Sequence, residues 1–333
     1  MKGKIFKILI GIIIILIIFI TITKFNKNNK EQQPNIDHLK LAEVTHSAFY
    51  APLYIALENG YFKNNNIELE LILTSGADKV ASAVLSNDVE IGFAGPESAI
   101  YVYNGKEEDY LVTFSGLTKR DGQFIVSRKE IKDFNLNDLK GKEVLAGRAG
   151  GMPVLNFQNA LKNENISENS LDINTSVEFS ALSGSFISGE GDFVNLFEPN
   201  ATNLVKEGYG YIVGNIGAFS GEVPYTAFYA RKSFIKNHNE TIKNFTNAIN
   251  QGLNYVHNHS SEEIAKIILP QFPDISLTDL TKIVDNYKKY DSWLENPFIT
   301  EDSFKNLQNI MKDAKLIDNY VPYDDLINNF YHE

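Results

Sequence analysis

The sequence contains no cysteine, and this absence removes several kinds of chemistry at once. Without thiols the chain can form no disulfide, no thiolate zinc site and no cysteine nucleophile. A mature N-terminus that carries a thioether-linked lipid is excluded for the same reason. The redox compartment therefore has to be inferred from other features of the chain.

Beyond residue 30 acidic residues outnumber basic ones. The formal net charge of the 333 residues is −11, and residues 1–30 hold six lysines and no acid, so the rest carries −17. Because nucleic-acid phosphates need a positive field, we expect no nucleic-acid partner. The hydrophobic content of 43% is enough for one large core or two ordinary ones, which excludes a disordered chain.

An uncharged, strongly apolar run covers residues 8–23 and has lysines on both sides. As a helix it would reach about 24 Å, slightly less than the roughly 30 Å hydrocarbon core, and snorkelling lysines can make up the difference. No small-residue cleavage site follows the run, so we favour an uncleaved anchor over a removed signal peptide. Residues 1–24 are thus predicted to be a signal anchor or signal peptide. We expect the protein to be tethered to the cell membrane on its extracytoplasmic face, or else secreted after cleavage.

Strands and helices alternate between residues 40 and 99, with short connections between them. Residues 41–45 and 67–73 alternate apolar and polar side chains as half-buried strands do, and Ala51–Glu58 carries apolar residues at helical spacing. This order predicts a mostly parallel sheet, in which ligands bind at the carboxyl ends of the strands. The loop at residues 45–50 lies at such an end and is the first candidate for a binding surface.

The same pattern recurs further along the chain. A strand predicted for residues 90–94 runs into a helix start at residues 95–98, and one predicted for residues 140–146 runs into the glycine-rich residues 147–153. Each helix N-terminus therefore lies at a strand end. The repetition favours two lobes of similar construction.

Three further strands are predicted to connect the lobes. Residues 110–115 and 123–127 lead out of the first lobe and residues 224–230 lead back, which makes a hinge of two strands. The C-terminal part is predicted to be helical and to pack on the first lobe, with helices at residues 235–256, 262–269 (opened by a capping box at Ser260), 276–290 and 301–314. The expected domains are a polar linker at residues 25–37, lobe one at residues 38–125 and 228–333, and lobe two at residues 126–227.

Four segments in combination resemble the extracytoplasmic solute-binding proteins of ABC importers. They lie at residues 53–62, 87–94, 138–144 and 191–199. The most similar branch takes aliphatic sulfonates, taurine, nitrate or thiamine-precursor pyrimidines. The resemblance implies an α/β, two-lobed type II periplasmic-binding-protein-like fold with a two-strand hinge, here preceded by an N-terminal transmembrane helix. It also implies a monomer that clamps a small-molecule solute and delivers it to an ABC permease and its ATPase.

Two departures from the family pattern follow from the missing cysteine. Gram-positive members are often lipoproteins, so the apolar run at residues 8–23 would have to replace their lipid. Fungal pyrimidine-synthesising enzymes share the fold but depend on a cysteine-rich motif, so that chemistry is disfavoured here.

Candidate ligand contacts in lobe one lie at strand ends and at a helix start. They are His46, Ser47, Phe49, Tyr50, Gly95, Ser98 and Thr118. Helix N-termini favour anions, so Ser98 is preferred to Glu97 for an anionic ligand. The alternatives are a solvated loop whose aromatic rings fill the core, and a glutamate that only complements the helix dipole.

Candidate contacts in lobe two and near the hinge complete the clamp. They are Arg148, Gly150, Gly151, Met152, Glu198, Tyr225 and Trp293. Paired glycines allow close backbone approach, and the arginine could pair with a sulfonate or carboxylate. The alternatives are an ordinary strand-to-helix turn around Arg148, a structural salt bridge at Glu198, and a buried anchor at Trp293.

Other apparent motifs carry little weight. Residues 147–153 lack the Gly-Lys-Ser/Thr ending of a P-loop, residues 184–189 do not form a nucleophile elbow, and His257 and His259 have no third ligand nearby. We therefore expect no catalytic residue, no cofactor and no metal. The rival hypotheses are an enzyme on the same fold that uses Glu198 or His46 as a general base, and an anchored sensor domain.

The chemical class of the solute stays open between two alternatives. Glycine-rich helix starts and Arg148 favour an aliphatic sulfonate or a similar anion. The rings of Phe49, Tyr50, Tyr225 and Trp293 would equally stack on a pyrimidine or flavin-like ring. The sequence favours the anion.

Overall fold

A computed structural model describes Gly3, residues 36–74 and residues 76–331. The chain divides into two compact units, Met1–Ile36 and Asp37–Glu333, and every strand and helix given below belongs to the second. Its strands are β1 Asp37–Glu43, β2 Ile67–Leu73, β3 Ile91–Ala94, β4 Leu111–Thr118, β5 Phe124–Ser127, β6 Glu143–Leu145, β7 Asp172–Asn174, β8 Phe193–Leu196, β9 Tyr211–Asn215 and β10 Thr226–Arg231.

Helices of very different length connect these strands and follow the last of them. They are α1 Ala51–Glu58, α2 Tyr61–Asn64, α3 Ala77–Leu85, α4 Glu97–Asn104, α5 Met152–Asn163, α6 Leu182–Ser188, α7 Asn200–Lys206, α8 Gly217–Ser220, α9 Lys232–Asn237, α10 Asn239–Asn258, α11 Ser261–Ile268, α12 Leu277–Lys289, α13 Glu301–Asp313 and α14 Tyr323–Leu326. Short 3₁₀ turns cover Ala48–Tyr50, Leu136–Leu139, Glu168–Ser170, Phe179–Ala181 and Leu269–Gln271.

The strands form two five-stranded sheets of matching design. Sheet A has the order β2-β1-β3-β10-β4, and sheet B has the order β7-β6-β8-β5-β9. In each sheet the first three strands are parallel, while β10 in sheet A and β5 in sheet B run antiparallel to both of their neighbours. The predicted mostly parallel sheet is therefore confirmed for β1, β2 and β3, while β10 and β5 are the antiparallel exceptions, each entering from the other sheet.

The chain crosses between the sheets twice. Residues 119–123 lead from β4 to β5, and residues 216–225 lead from β9 to β10. This agrees with the predicted pair of hinge connections. The carboxyl ends of β1, β3, β6 and β8 then carry the loops from which the candidate site is built.

The C-terminal helices cover sheet A, as the sequence predicts. Helix α10 packs closely on α1, since a Cβ atom at Gly252 would lie 2.1 Å from the backbone oxygen of Pro52. The predicted capping box opens α11: the Ser260 hydroxyl accepts from the Glu263 N–H, and the Glu263 carboxylate accepts from the Ser260 N–H. The long helix predicted for residues 235–256 is divided at His238, whose backbone is not helical and whose ring stacks on Phe234.

The predicted membrane anchor lies outside the described residues. Within the residues that the structure describes, no helix combines the length and the apolar character that a membrane crossing needs.

Candidate binding cavity

A cavity of about 580 Å³ lies between elements of the two sheets. On the side of sheet A it is lined by Thr45, Tyr50, Asp78, Glu97, Ser98 and Tyr101. On the side of sheet B it is lined by Arg148, Gly150, Gly151, Met152, Phe179 and Phe197, and Tyr225 lies on the connection between the sheets. Because both walls come from one compact unit, a small molecule inside would contact both sheets together.

Part of the sheet B wall is a glycine-rich loop whose backbone only glycine adopts easily. Gly147 and Gly150 have φ angles of +91° and +82°, in the left-handed region that side-chain-bearing residues avoid. The Tyr101 hydroxyl donates to the Gly150 carbonyl over 2.8 Å and so joins this loop to α4. Met152 begins α5, and Pro153 is in its first turn.

Arg148 lies at the rim and is already paired with acids. Its Nη1 is 3.2 Å from the Asp78 carboxylate on α3, and its Nε is 3.8 Å from that of Glu178. The side chain is 45% exposed, so these pairs are partly solvated. An anionic solute would have to displace Asp78 or share Arg148 with it.

Glu97, at the start of α4, is the buried acid of the cavity. Its side chain is 2% exposed, and the Met152 N–H donates to its Oε1 over 3.4 Å. Burial raises its pKa from 4.5 to about 7, and hydrogen bonds from the N–H groups of Glu97 and Met152 oppose that rise. Gly95 makes room for it, because a Cβ atom there would lie 2.0 Å from Glu97 Oε2.

Aromatic rings make up most of the remaining wall. Tyr50 and Tyr225 are almost fully buried, and burial raises the pKa of both hydroxyls, so the two phenols stay neutral. Phe197 follows β8 and packs on Phe49, which lies behind the cavity wall. A wall of this kind suits an apolar or aromatic molecular body, with Glu97, Asp78 and Arg148 as its charged groups.

Eight of the fourteen predicted ligand residues line this cavity. They are Tyr50, Gly95, Ser98, Arg148, Gly150, Gly151, Met152 and Tyr225. The other six lie outside its lining and make contacts within the protein: His46, Ser47, Phe49, Thr118, Glu198 and Trp293.

His46 and Ser47 are held by neighbours away from the cavity. The ring nitrogens of His46 lie 2.7 Å from the Glu43 carboxylate and 2.9 Å from the Gln271 carbonyl. Burial lowers the pKa of His46, but the bonds and charge of these acceptors outweigh it and raise the pKa overall. Ser47 donates its hydroxyl to the backbone carbonyl of Glu198 over 2.5 Å, which joins the loop after β1 to the loop after β8.

Glu198 and Trp293 act as internal supports in this arrangement. The Glu198 carboxylate accepts from the N–H and the hydroxyl of Thr202, both over 2.8 Å, at the start of α7. No lysine or arginine lies within ion-pairing distance of it in the described part of the chain, so the alternative of a salt bridge at Glu198 is wrong. Trp293 is buried and donates its indole N–H to the Phe49 carbonyl over 2.8 Å, as the anchor alternative predicts.

Phe49 and Thr118 are fully buried. The Phe49 ring packs against Tyr50, Phe197 and Tyr287. The Thr118 hydroxyl accepts from the Thr226 N–H over 2.9 Å, which joins β4 to β10.

Sequence reasoning did not select several lining residues. Glu97 lines the cavity beside Ser98, although the helix dipole alone favours Ser98 as the contact for an anionic ligand. Asp78 and Tyr101 lie within α3 and α4, where helical spacing alone gives no signal that a side chain reaches a cavity. Among the described residues no group of three or more histidines and acids could hold a metal ion.

Comparison with known proteins agrees with this architecture. The family model described as NMT1/THI5 like matches residues 48–263. The "Putative binding protein YtlA" of Bacillus subtilis (strain 168) is 36% identical over 299 residues, which is 90% of each chain.

Solved structures resemble the fold at low sequence identity. The alkanesulfonate-binding protein SsuA of Xanthomonas axonopodis pv. citri, bound to MOPS, gives a TM-score of 0.69 at 12% identity and covers 88% of this chain and 98% of its own. The ligand-binding component of an ABC-type import system from Staphylococcus aureus, with zinc bound, gives 0.69 at 13% identity and covers 88% and 97%. These likenesses establish the two-sheet α/β fold of periplasmic binding proteins.

Proposed function

The chain belongs to the NMT1/THI5-like family, and from that premise we propose that it is the extracytoplasmic solute-binding component of an ABC importer. It takes a small organic solute into the cavity between the sheets and delivers it to a membrane permease and its ATPase. Residues 8–23 tether it to the extracytoplasmic face of the membrane. In this proposal lobe one carries sheet A and lobe two carries sheet B. The boundaries lie in the connections at residues 119–123 and 216–225, because residues 125 and 227 fall inside β5 and β10.

The observation that carries this proposal is the composition of the cavity walls. Sheet A contributes Tyr50 and Glu97, sheet B contributes Met152 and Phe197, and only two connections join the sheets. A solute that touches both walls binds best when the lobes are together, so it shifts the population towards the closed state. A permease can distinguish that state from the open one.

Two classes of solute have support from particular features. An alkanesulfonate is supported by Arg148 at the rim and by the structural likeness to the Xanthomonas sulfonate binder. An aromatic solute such as a pyrimidine or a flavin-like ring is supported by Tyr50, Tyr225 and Phe197. The enzyme alternative loses support, because His46 and Glu198 both lie outside the cavity lining and are hydrogen-bonded elsewhere.

A screen of the full chain tests the proposal. Thermal shift is measured with alkanesulfonates, taurine, nitrate, hydroxymethylpyrimidine, riboflavin and small amines, and each stabilising compound is followed by X-ray scattering and by mass spectrometry of the compound. We expect at least one compound to bind at one equivalent, to reduce the radius of gyration and to be recovered unchanged. Catalytic consumption of that compound, or stabilisation that Glu97→Trp in the cavity does not reduce, would contradict the proposal.

A further inference from the structure

Glu97 lines the cavity, and one oxygen of its carboxylate, Oε2, is covered by neighbouring atoms and has no hydrogen-bond partner within the described part of the chain. The side chain as a whole is 2% exposed. Among the described residues the rest of the carboxylate has only backbone donors, the N–H of Glu97 itself and the Met152 N–H, which is 3.4 Å from Oε1. An unpaired buried acid is costly, so an acid kept at this position is expected to have a partner in some state of the protein.

Charge in the lining does not favour an anion. The lining contains two acids, Asp78 and Glu97, and one base, Arg148. Asp78 and the neighbouring Glu178 already lie close to the guanidinium. The Met152 N–H at the start of α5, which could attract an anion, is directed to the Glu97 carboxylate. A sulfonate placed there would have to displace these carboxylates or lie beside them.

A hydrogen-bond donor on the solute would give the Glu97 carboxylate the partner that it lacks among the described residues. An ammonium, an amidinium or an aromatic amine can donate to the Glu97 carboxylate when that side chain turns towards the solute, and a charge-assisted bond of this kind is strong inside a cavity shielded from water. The apolar body of the same molecule would pack on Tyr50, Met152 and Tyr225. The polar head and the apolar body are then both accommodated.

We infer that Glu97 selects the solute, and that the solute bears an N–H donor head, cationic or neutral, on an aromatic or aliphatic body. The inference rests on the proposed function and narrows it from two solute classes to one. Glu97 is then the specificity-determining residue, and Arg148 has the secondary role of holding Asp78 at the rim.

The titratable neighbours of Glu97 permit a pH test. Electrostatic contact with Glu97 raises the pKa of four tyrosine hydroxyls around it, those of Tyr50, Tyr101, Tyr225 and Tyr229, for which burial is the larger cause. All four hydroxyls stay neutral near pH 7. Glu97, with a pKa of about 7, changes charge near that pH, and so does Asp121, which neighbours Tyr225 and whose pKa burial raises to about 8. A pH effect on affinity is therefore assigned to Glu97 only when Glu97→Gln removes it.

The experiment uses calorimetric titration of the full chain with three probes of one shape: benzamidine, benzamide and benzenesulfonate. We expect benzamidine to bind more tightly than benzenesulfonate. Its affinity should rise as the pH increases through about 7, because the Glu97 carboxylate forms, whereas that of benzenesulfonate should fall. In Glu97→Gln we expect the benzamidine affinity to decrease about 10- to 100-fold and that of benzenesulfonate not to decrease.

Glu198→Gln is the matched control. It is a second buried glutamate at a helix start, but it lies outside the cavity lining, and both of its carboxylate oxygens are already hydrogen-bonded. The ratio of benzamidine to benzenesulfonate affinity should be unchanged in it, and because a ratio is measured, a general loss of stability does not imitate the effect.

Several results would overturn the inference. Tighter binding of benzenesulfonate, an unchanged ratio in Glu97→Gln, or no binding of benzamidine and benzamide between about pH 6 and 8 each contradict it. Tighter binding of the sulfonate with closure of the lobes would leave the proposed function intact. A failure of every compound in the larger screen would instead contradict the proposed function.

Discussion

Two loops follow equivalent strands in the two sheets, and they have different roles. Residues 45–50 come after β1 in sheet A, and residues 147–151 come after β6 in sheet B. In the first loop the cavity is lined by Thr45 and Tyr50 only, while Phe49 is fully buried behind the wall. In the second loop every residue from 148 to 151 lines the cavity.

The difference between the loops follows from the type of residue in each. Aromatic side chains in the first loop bury large areas and are drawn into the core, so the loop becomes a support between the sheets. The second loop is rich in glycine and has little to bury, so its backbone and Arg148 remain at the surface of the cavity. A position at a strand end thus places a residue near the cavity, and the size of its side chain decides whether it lines the cavity or is buried behind it.

The largest effect on stability is expected when the buried ring of the first loop is removed. Phe49→Ala should destabilise the protein by about 3–5 kcal/mol, because it opens a cavity among Tyr50, Phe197 and Tyr287. Urea unfolding measures the change, with Phe49→Leu as the milder control. A cost below about 1 kcal/mol would mean that the ring does not support the core.

A second test concerns the acid that lies between the loops. The pKa of Glu97 is raised from 4.5 to about 7 in the folded protein, so its contribution is fully present below pH 4.5 and is lost as the pH rises through 7. Glu97→Gln should therefore stabilise the solute-free protein at pH 8 by up to about 3 kcal/mol. Denaturant titrations at several pH values check this, and parallel profiles for variant and wild type would contradict it.

A smaller effect is expected for the hydroxyl that joins the sheets. Ser47→Ala removes the bond to the Glu198 carbonyl and the bond from the Phe49 N–H, so it should cost about 1–2 kcal/mol. The matched control is Ser98→Ala, at a position in the cavity wall that does not join the two sheets. Equal costs for the two variants would show that the first loop is not a special support.

The smallest effect on stability is expected in the second loop. Arg148→Ala removes partly solvated ion pairs with Asp78 and Glu178, so the free energy of unfolding should change by no more than about 0.5 kcal/mol. Thermal unfolding of the solute-free protein measures this. A loss comparable to that of Phe49→Ala would mean that both loops are structural.

The sequence predicted much of the fold and part of the site. Helix α1, the capping box at Ser260 and the two crossings between sheets follow from local signals such as periodicity and capping residues. The directions of β5 and β10 did not follow, because pairing between distant strands leaves no local pattern. The choice between Glu97 and Ser98 as the ligand contact depends on the charge of the ligand, which no local pattern in the sequence reports.

Composition and local pattern alone determined that this chain is a two-lobed α/β protein with polar and glycine-rich loops at its strand ends. Only the tertiary structure decided that Phe49, Ser47 and Trp293 support the fold, and that Glu97 and Arg148 line the cavity. The reason is physical: periodicity depends on neighbours along the chain, whereas exposure to a cavity depends on packing between residues far apart in sequence. Glu97, at the start of α4, contacts Met152, which is 55 positions later in the chain, and no local sequence pattern predicts that contact.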